Sequence, residues 1–164
     1  MNKEITYNNG RIVATTKIIV NGILPYKIYD FMLTLDKEKF IQWHPKDHID
    51  FKVIKQSEII KGNIFYFHEL IGGKFRLENK WEIMDFKKDE MLLMKAQIII
   101  PVFLKLTFHQ ENNNTVVTHQ LQLGFKGLKF INDWIAKKSF SVDRQQASDL
   151  HAKQEFKNLE LLLQ

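Results

Sequence analysis

The fold is decided by residues 64–86, which have the sequence IFYFHELIGGKFRLENKWEIMDF. Apolar and polar side chains alternate on both sides of Gly72-Gly73, as in two strands that each bury one face. Two consecutive glycines favour a tight hairpin turn, because glycine adopts positive φ angles without strain. We therefore predict an antiparallel hairpin made of strands 64–71 and 74–86.

The same period of two continues on both sides of this hairpin. It predicts further strands at residues 11–20, 50–56, 91–99, 102–110 and 115–125. Pro25 opens a helical stretch after the first strand, and a second short helix at 37–43 is ended by Pro45. After Gly127 the apolar residues return at helical spacing up to the end of the chain, with a break expected at 139–141. The prediction is an α+β fold in which a curved seven-stranded antiparallel sheet wraps around one long C-terminal helix.

Composition limits the classes of protein to which the chain can belong. Its 164 residues are 45% hydrophobic, so we expect a single domain spanning 1–164 with a substantial core. Cysteine is absent, which excludes disulfide scaffolds and thiolate metal sites. No apolar run approaches the roughly 18 residues of a membrane span, and the first residues do not resemble a secretory signal, so a cytoplasmic protein is expected. The net charge of +5 is spread among acidic residues, which argues against a nucleic-acid partner.

A sheet wrapped around a helix tends to leave a cavity between the two, where a small apolar or aromatic molecule can bind. Strand alternation places a set of apolar side chains on the inner face of the sheet. The predicted ligand-pocket residues are Phe67, Phe75, Leu77, Trp81, Val117 and Leu121.

The same alternation turns three polar residues inward, namely Glu69, Asn79 and His119. A buried carboxylate without a partner is costly. Glu69 is therefore neutral, paired with a base, bound to a metal, or not buried.

His151 and Glu155 are four residues apart in the C-terminal helix, so both side chains leave the same helix face. His44 and His48 flank the junction between a short helix and a strand; His48 is the preferred ligand and His44 the alternative. Imidazole and carboxylate together suit zinc or another divalent metal. The competing interpretation is an apolar cavity whose few polar groups are satisfied by hydrogen bonds.

The order of elements resembles the helix-grip (SRPBCC) superfamily, which includes START-related lipid-binding domains, polyketide cyclases and birch-pollen-allergen-like proteins. Three segments look like its diacetylphloroglucinol hydrolase–phloretin hydrolase branch: WHPKDH at 43–48, the strand around Glu69, and His151-x-x-x-Glu155. That branch binds zinc through two histidines and two glutamates, and it hydrolyses a carbon–carbon bond between an acyl group and a phenolic ring. The resemblance implies His48 or His44, with Glu69, His151 and Glu155, as zinc ligands.

Two functions are therefore expected as alternatives. The first is a metal-dependent hydrolase of a small aromatic or acyl compound, with His119 as general acid and Asn79 orienting the substrate. The second is non-enzymatic binding or transport of a lipid or another apolar small molecule.

Overall fold

The computed structural model describes residues 6–139 and 141–164, with backbone alone for 137–139. The strands are β1 (Thr6–Asn8), β2 (Arg11–Val20), β3 (His48–Lys55), β4 (Ile64–Ile71), β5 (Phe75–Lys87), β6 (Met91–Ala96), β7 (Val102–Glu111) and β8 (Asn114–Leu123). The helices are α1 (Pro25–Leu33), α2 (Lys37–Trp43), α3 (Lys129–Ser139) and α4 (Val142–Leu162). The predicted elements occur in the predicted order, with β1 as an additional strand and with the C-terminal helix in two parts.

All eight strands form one antiparallel sheet with the order β1-β2-β8-β7-β6-β5-β4-β3. The strands from β3 to β8 are neighbours in the sequence as well as in the sheet, as a meander of short turns requires. The pairing of β2 with β8 joins the N-terminal hairpin to the last strand of the meander.

The sheet has eight strands where the sequence analysis predicts seven. The additional strand, β1, pairs with β2 across a tight turn at Asn9 and Gly10, whose φ angles are 49° and 82°. Two successive positive φ values are typical of the two-residue hairpin turn that Asn-Gly favours. This dipeptide is the sequence signal for β1, and the prediction did not use it.

The C-terminal helix is broken where a break was predicted. Helix α3 ends at Ser139, and α4 begins at Val142; Phe140 lies outside the described residues. The side chain of Ser141 accepts a hydrogen bond from the backbone N–H of Arg144, which caps the first turn of α4. No helix in the described part of the chain is both long and apolar enough to cross a membrane.

The curved sheet packs against the inner face of α4, where Ala152, Phe156 and Leu159 are almost completely buried. Helix α2 contacts the same helix through Trp43. The indole N–H of Trp43 donates to the backbone carbonyl of Glu155 at 2.7 Å, and its ring packs edge-on against Phe156. This contact positions one end of the cavity that remains between the sheet and α4.

Candidate metal centre and cavity

The cavity has a volume of about 460 Å³. Its wall is mainly apolar, and Phe40, Trp81, Leu104 and Leu106 are among the side chains that form it. Glu69, His151 and Glu155 also line it, so a molecule in the cavity can reach a polar group of ionisable side chains. We call His48, Glu69, His151 and Glu155 together the four-residue cluster.

The four-residue cluster is assembled from three elements. His48 is the first residue of β3 and is the register partner of Glu69 on β4, while α4 contributes His151 and Glu155 one turn apart. One nitrogen or oxygen atom from each residue lies within 4.8 Å of all the others. Nε2 of His48 is 2.9 Å from Oε1 of Glu155 and 3.4 Å from Oε2 of Glu69. Nε2 of His151 is 3.3 Å from Oε2 of Glu69 and 3.5 Å from Oε1 of Glu155.

These distances suit a tetrahedral zinc ion. Zinc binds imidazole nitrogen and carboxylate oxygen at about 2.0–2.2 Å, which separates neighbouring ligand atoms of a tetrahedron by about 3.3–3.6 Å. Three of the four measured nitrogen–oxygen distances are 3.3, 3.4 and 3.5 Å. These nitrogen–oxygen separations are compatible with the four side chains holding such an ion.

Hydrogen bonds orient both imidazoles toward the centre of the cluster. Nδ1 of His48 lies 2.7 Å from the carbonyl oxygen of Phe40, which can only accept, so Nδ1 carries the proton. Nδ1 of His151 lies 3.0 Å from Oδ2 of Asp47 and in the same way donates to a carboxylate. Such partners commonly fix the tautomer of a metal-binding histidine and leave Nε2 as the ligand. The ring of Phe40 also stacks on His48 at a centroid distance of 3.8 Å.

The electrostatics of the cluster favour charged forms despite its burial. Burial opposes protonation of the two imidazoles, but the carboxylates of Glu69 and Glu155 outweigh this effect. They raise the pKa of His48 to about 9 and that of His151 to about 11. Burial also opposes ionisation of the two carboxylates, yet the imidazoles hold the pKa of Glu69 and that of Glu155 below their ordinary values.

Two imidazolium ions and two carboxylates make a cluster of zero net charge. A divalent cation can replace the two Nε2 protons and leave that net charge unchanged. Metal binding to such a group releases protons, so affinity for the metal decreases as the pH is lowered. The charge balance of the cluster thus suits a divalent cation as well as its geometry does.

His44, the alternative ligand, does not belong to the four-residue cluster. Its ring stacks against that of His151 at a centroid distance of 5.0 Å, and it forms a separate group with Asp47 and His151. It is only 4% exposed, and within the described part of the chain neither ring nitrogen has a hydrogen-bond partner. The geometry thus favours His48 as the histidine of the loop that faces the glutamates.

Asp47 is a site residue that sequence reasoning missed. It lies buried in the turn before β3, and its backbone carbonyl accepts from the N–H of Leu70 at 2.8 Å, which ties the turn to β4. The sequence signal for Asp47 was the position of its carboxylate next to His48, the preferred ligand. The direction of its side chain depends on the geometry of the turn. The alternation of side chains along a strand does not predict directions within a turn.

Most of the predicted cavity residues lie where strand alternation puts them. The side chains of Phe67, Phe75, Leu77, Trp81 and Leu121 line the cavity, and so does the candidate acid His119 on β8.

Two predicted residues do not contribute to the cavity wall. Val117 is fully buried within the core because its strand neighbours Ile18 and Phe108 are buried beside it. Asn79 is on the same face of β5 as the lining residues Leu77 and Trp81 but does not itself line the cavity. The geometry therefore does not support its role in orienting a substrate.

The comparisons with known proteins bear on the fold. No protein-family model matches the sequence, and no curated protein matches it. Among solved structures, the chain is similar to Ara h 8.0201, with a TM-score of 0.64 at 13% identity over 92% of this chain and 97% of that chain. It is also similar to major latex-like protein 151 from Panax ginseng, with a TM-score of 0.64 at 9% identity over 93% and 95%. Protein Ms6760 from Mycobacterium smegmatis matches with a TM-score of 0.61 at 12% identity over 99% and 96%. These likenesses, which extend over almost the whole chain, show that it has the helix-grip fold.

Proposed function

We propose that the protein is a metal-dependent hydrolase of a small aromatic or acyl compound, with zinc as the metal. Its reactions would include hydrolysis of a carbon–carbon bond between an acyl group and a phenolic ring. The observation that carries the proposal is the convergence of His48, Glu69, His151 and Glu155 at a cavity, with both histidines presenting Nε2.

The four ligands would supply the chemistry of a Lewis acid. Zinc held by these four residues would polarise a carbonyl oxygen and lower the pKa of bound water. Glu69 and Glu155 line the cavity, so either carboxylate, once it has left the metal, would be placed to accept the proton of the water that attacks the acyl carbon. His119, on the sheet side of the cavity, is the candidate donor of a proton to the ring carbon. One carbon–carbon bond is broken, one carbon–oxygen bond is formed, and the products are a carboxylic acid and the deacylated ring.

Elemental analysis of untagged protein, purified without chelators, tests the metal site. We expect about one zinc ion per chain, and loss of this zinc in Glu69→Ala and in His151→Ala. His68→Ala is the matched control, because His68 is next to Glu69 but on the other face of β4. Absence of bound metal in the parent protein, even after incubation with zinc, would contradict the hydrolase proposal.

Hydrolysis itself is tested by incubating the zinc-loaded protein with acyl-phenols and β-diketones and measuring release of the carboxylic acid. The Glu69→Ala variant is the inactive control. Zinc-loaded protein that hydrolyses none of these compounds would contradict this substrate class.

A second candidate function is carriage of an apolar molecule without chemistry. The mainly apolar wall of the cavity favours it. Native mass spectrometry distinguishes the two, because a carrier is expected to retain an apolar ligand through purification and to contain no zinc.

A further inference from the structure

A line of polar side chains runs along α4 on the wall of the cavity. Arg144, Ser148, His151 and Glu155 all line it, at spacings of four, three and four residues. Residues at these spacings lie on one face of a helix. The rise of 1.5 Å per residue puts Arg144 about 10 Å along the helix axis from His151.

Arg144 stands at the mouth of the cavity, since it is exposed to solvent and also forms part of the wall. Its guanidinium lies over the ring of Phe75, 5.0 Å from the centroid. A guanidinium over the face of an aromatic ring is attracted by the ring electrons, which helps to hold it in place. The side chain is therefore held near the opening by a lining residue of β5.

A second arginine lines the same cavity from the sheet side. Arg76 is exposed, and its guanidinium donates to Oε2 of Glu78 at 2.6 Å. Arg144 shares a helix face with His151, so it is the cation that a ligand lying along α4 would reach.

We propose that Arg144 binds an anionic group of the ligand, so that the natural ligand is an amphipathic organic acid. Its carboxylate, sulfonate or phosphate would pair with Arg144, and its apolar body would fill the cavity. The carbonyl to be hydrolysed would lie beside the four-residue cluster, away from the anion along α4. Ser148, one turn from His151, is positioned to donate a hydrogen bond to a polar group between the two ends.

This inference rests on the proposed function for the location of the reacting carbonyl, whereas recognition of the anion does not require zinc.

Two fluorescent probes that share one ring system test whether Arg144 binds an anion. They are 8-anilinonaphthalene-1-sulfonate, which carries a sulfonate, and N-phenyl-1-naphthylamine, which is neutral. Their dissociation constants are measured by titration of the parent protein and of its variants, and mutual displacement establishes that they share one site.

We expect the parent protein to bind the sulfonate several-fold more tightly than the neutral amine. Arg144→Gln should weaken binding of the sulfonate about tenfold, because a charge-assisted hydrogen bond is lost, and should change binding of the neutral amine by less than about twofold. Lys153→Gln is the matched control, because Lys153 is an exposed cation of the same helix paired with Asp149. This control should leave both dissociation constants unchanged.

The Glu69→Ala variant separates this inference from the proposed function. A preference for the sulfonate that persists in Glu69→Ala supports the anion site whatever the outcome of the metal analysis. Equal affinity of the parent protein for the two probes would overturn the inference, and so would an equal loss of both in folded Arg144→Gln. Exclusion of both probes from the cavity would overturn it as well.

Discussion

Asp47 connects the fold to the four-residue cluster through a single side chain. Its carboxylate accepts from Nδ1 of His151, while its backbone carbonyl holds the turn against β4. A carboxylate behind a metal-binding histidine orients the ring and increases its basicity. In the proposed metal site, the side chain of Asp47 would therefore affect metal affinity through His151.

The first prediction concerns this carboxylate. Asp47→Asn should weaken zinc binding by about 10–100-fold, as is usual when the partner of a metal-binding histidine is lost. Competition with a chromophoric chelator measures the dissociation constant. Asp50→Asn is the control, because Asp50 pairs with the surface residues Lys37 and Lys52 and not with His151. Equal zinc affinity of Asp47→Asn and the parent would contradict the proposed role.

The second prediction separates the two histidines of the loop. His48→Ala should lower zinc affinity by at least about 100-fold, because a ligand and its oriented Nε2 are removed. His44→Ala should retain stoichiometric zinc, because His44 lies outside the four-residue cluster. Metal analysis of both folded variants is the measurement, and the reverse pattern would assign the ligand to His44.

At the scale of helices and strands, the sequence predicts the directions of side chains that follow a regular helical or strand period. Helical spacing is enough to bring His151 and Glu155 to one face, and strand alternation is enough to turn Glu69 inward. Neither period extends through the turn at 44–47, so the choice between His44 and His48 and the role of Asp47 depended on the three-dimensional structure. Val117 shows a further limit, because alternation assigns a face and does not say whether that part of the face borders a cavity or the closed core.

Helix α3 is anchored to the sheet by one buried amide. The side chain of Asn132 accepts from the N–H of Phe125 at 2.8 Å and donates to the carbonyls of Phe125 and Gly10 at 2.7 and 2.8 Å. Gly124 makes room for it, because a Cβ at this position would lie 2.1 Å from Oδ1 of Asn132. Helix α3 can thus pack in this position only because residue 124 has no side chain.

The third prediction tests this close approach. Gly124→Ala should lower the free energy of unfolding by roughly 2–4 kcal/mol, through the clash with Asn132 and the positive φ of 102°. Gly62→Ala is the matched control. Gly62 has a φ of 86° but no atom within 4 Å of the added Cβ, so only backbone strain of about 1 kcal/mol is expected there. Denaturant unfolding of both variants measures the difference, and equal destabilisation would contradict the role of Asn132.

For the molecule as a whole, α4 is held in place by contacts with α2 and with the loop after β2. Near its C-terminal end, Oε2 of Glu160 accepts from the backbone N–H of Asn21 at 2.9 Å and from its side-chain amide at 3.1 Å. Lys157 pairs with the other carboxylate oxygen. Glu160 thereby fastens α4 to the loop between β2 and α1, five residues beyond the cluster residue Glu155.

The fourth prediction follows from the ionisation of Glu160. Burial opposes its charge, but Lys157 and the amides of Asn21 outweigh burial and hold the pKa of Glu160 below its ordinary value of 4.5. Because the pKa is lower in the folded state, the stabilisation is present above the unfolded value and is lost as the pH falls through the folded one. Glu160→Gln should therefore be less stable than the parent by about 1–2 kcal/mol at pH 7, and this difference should shrink below about pH 4.5.

Unfolding free energies of the two proteins across this pH range measure the difference in stability, with the exposed Glu58→Gln as control. The carboxylates of the four-residue cluster are present in both proteins, so their titration cancels in the difference, and a difference that does not change with pH would contradict the assigned role of the Glu160 charge.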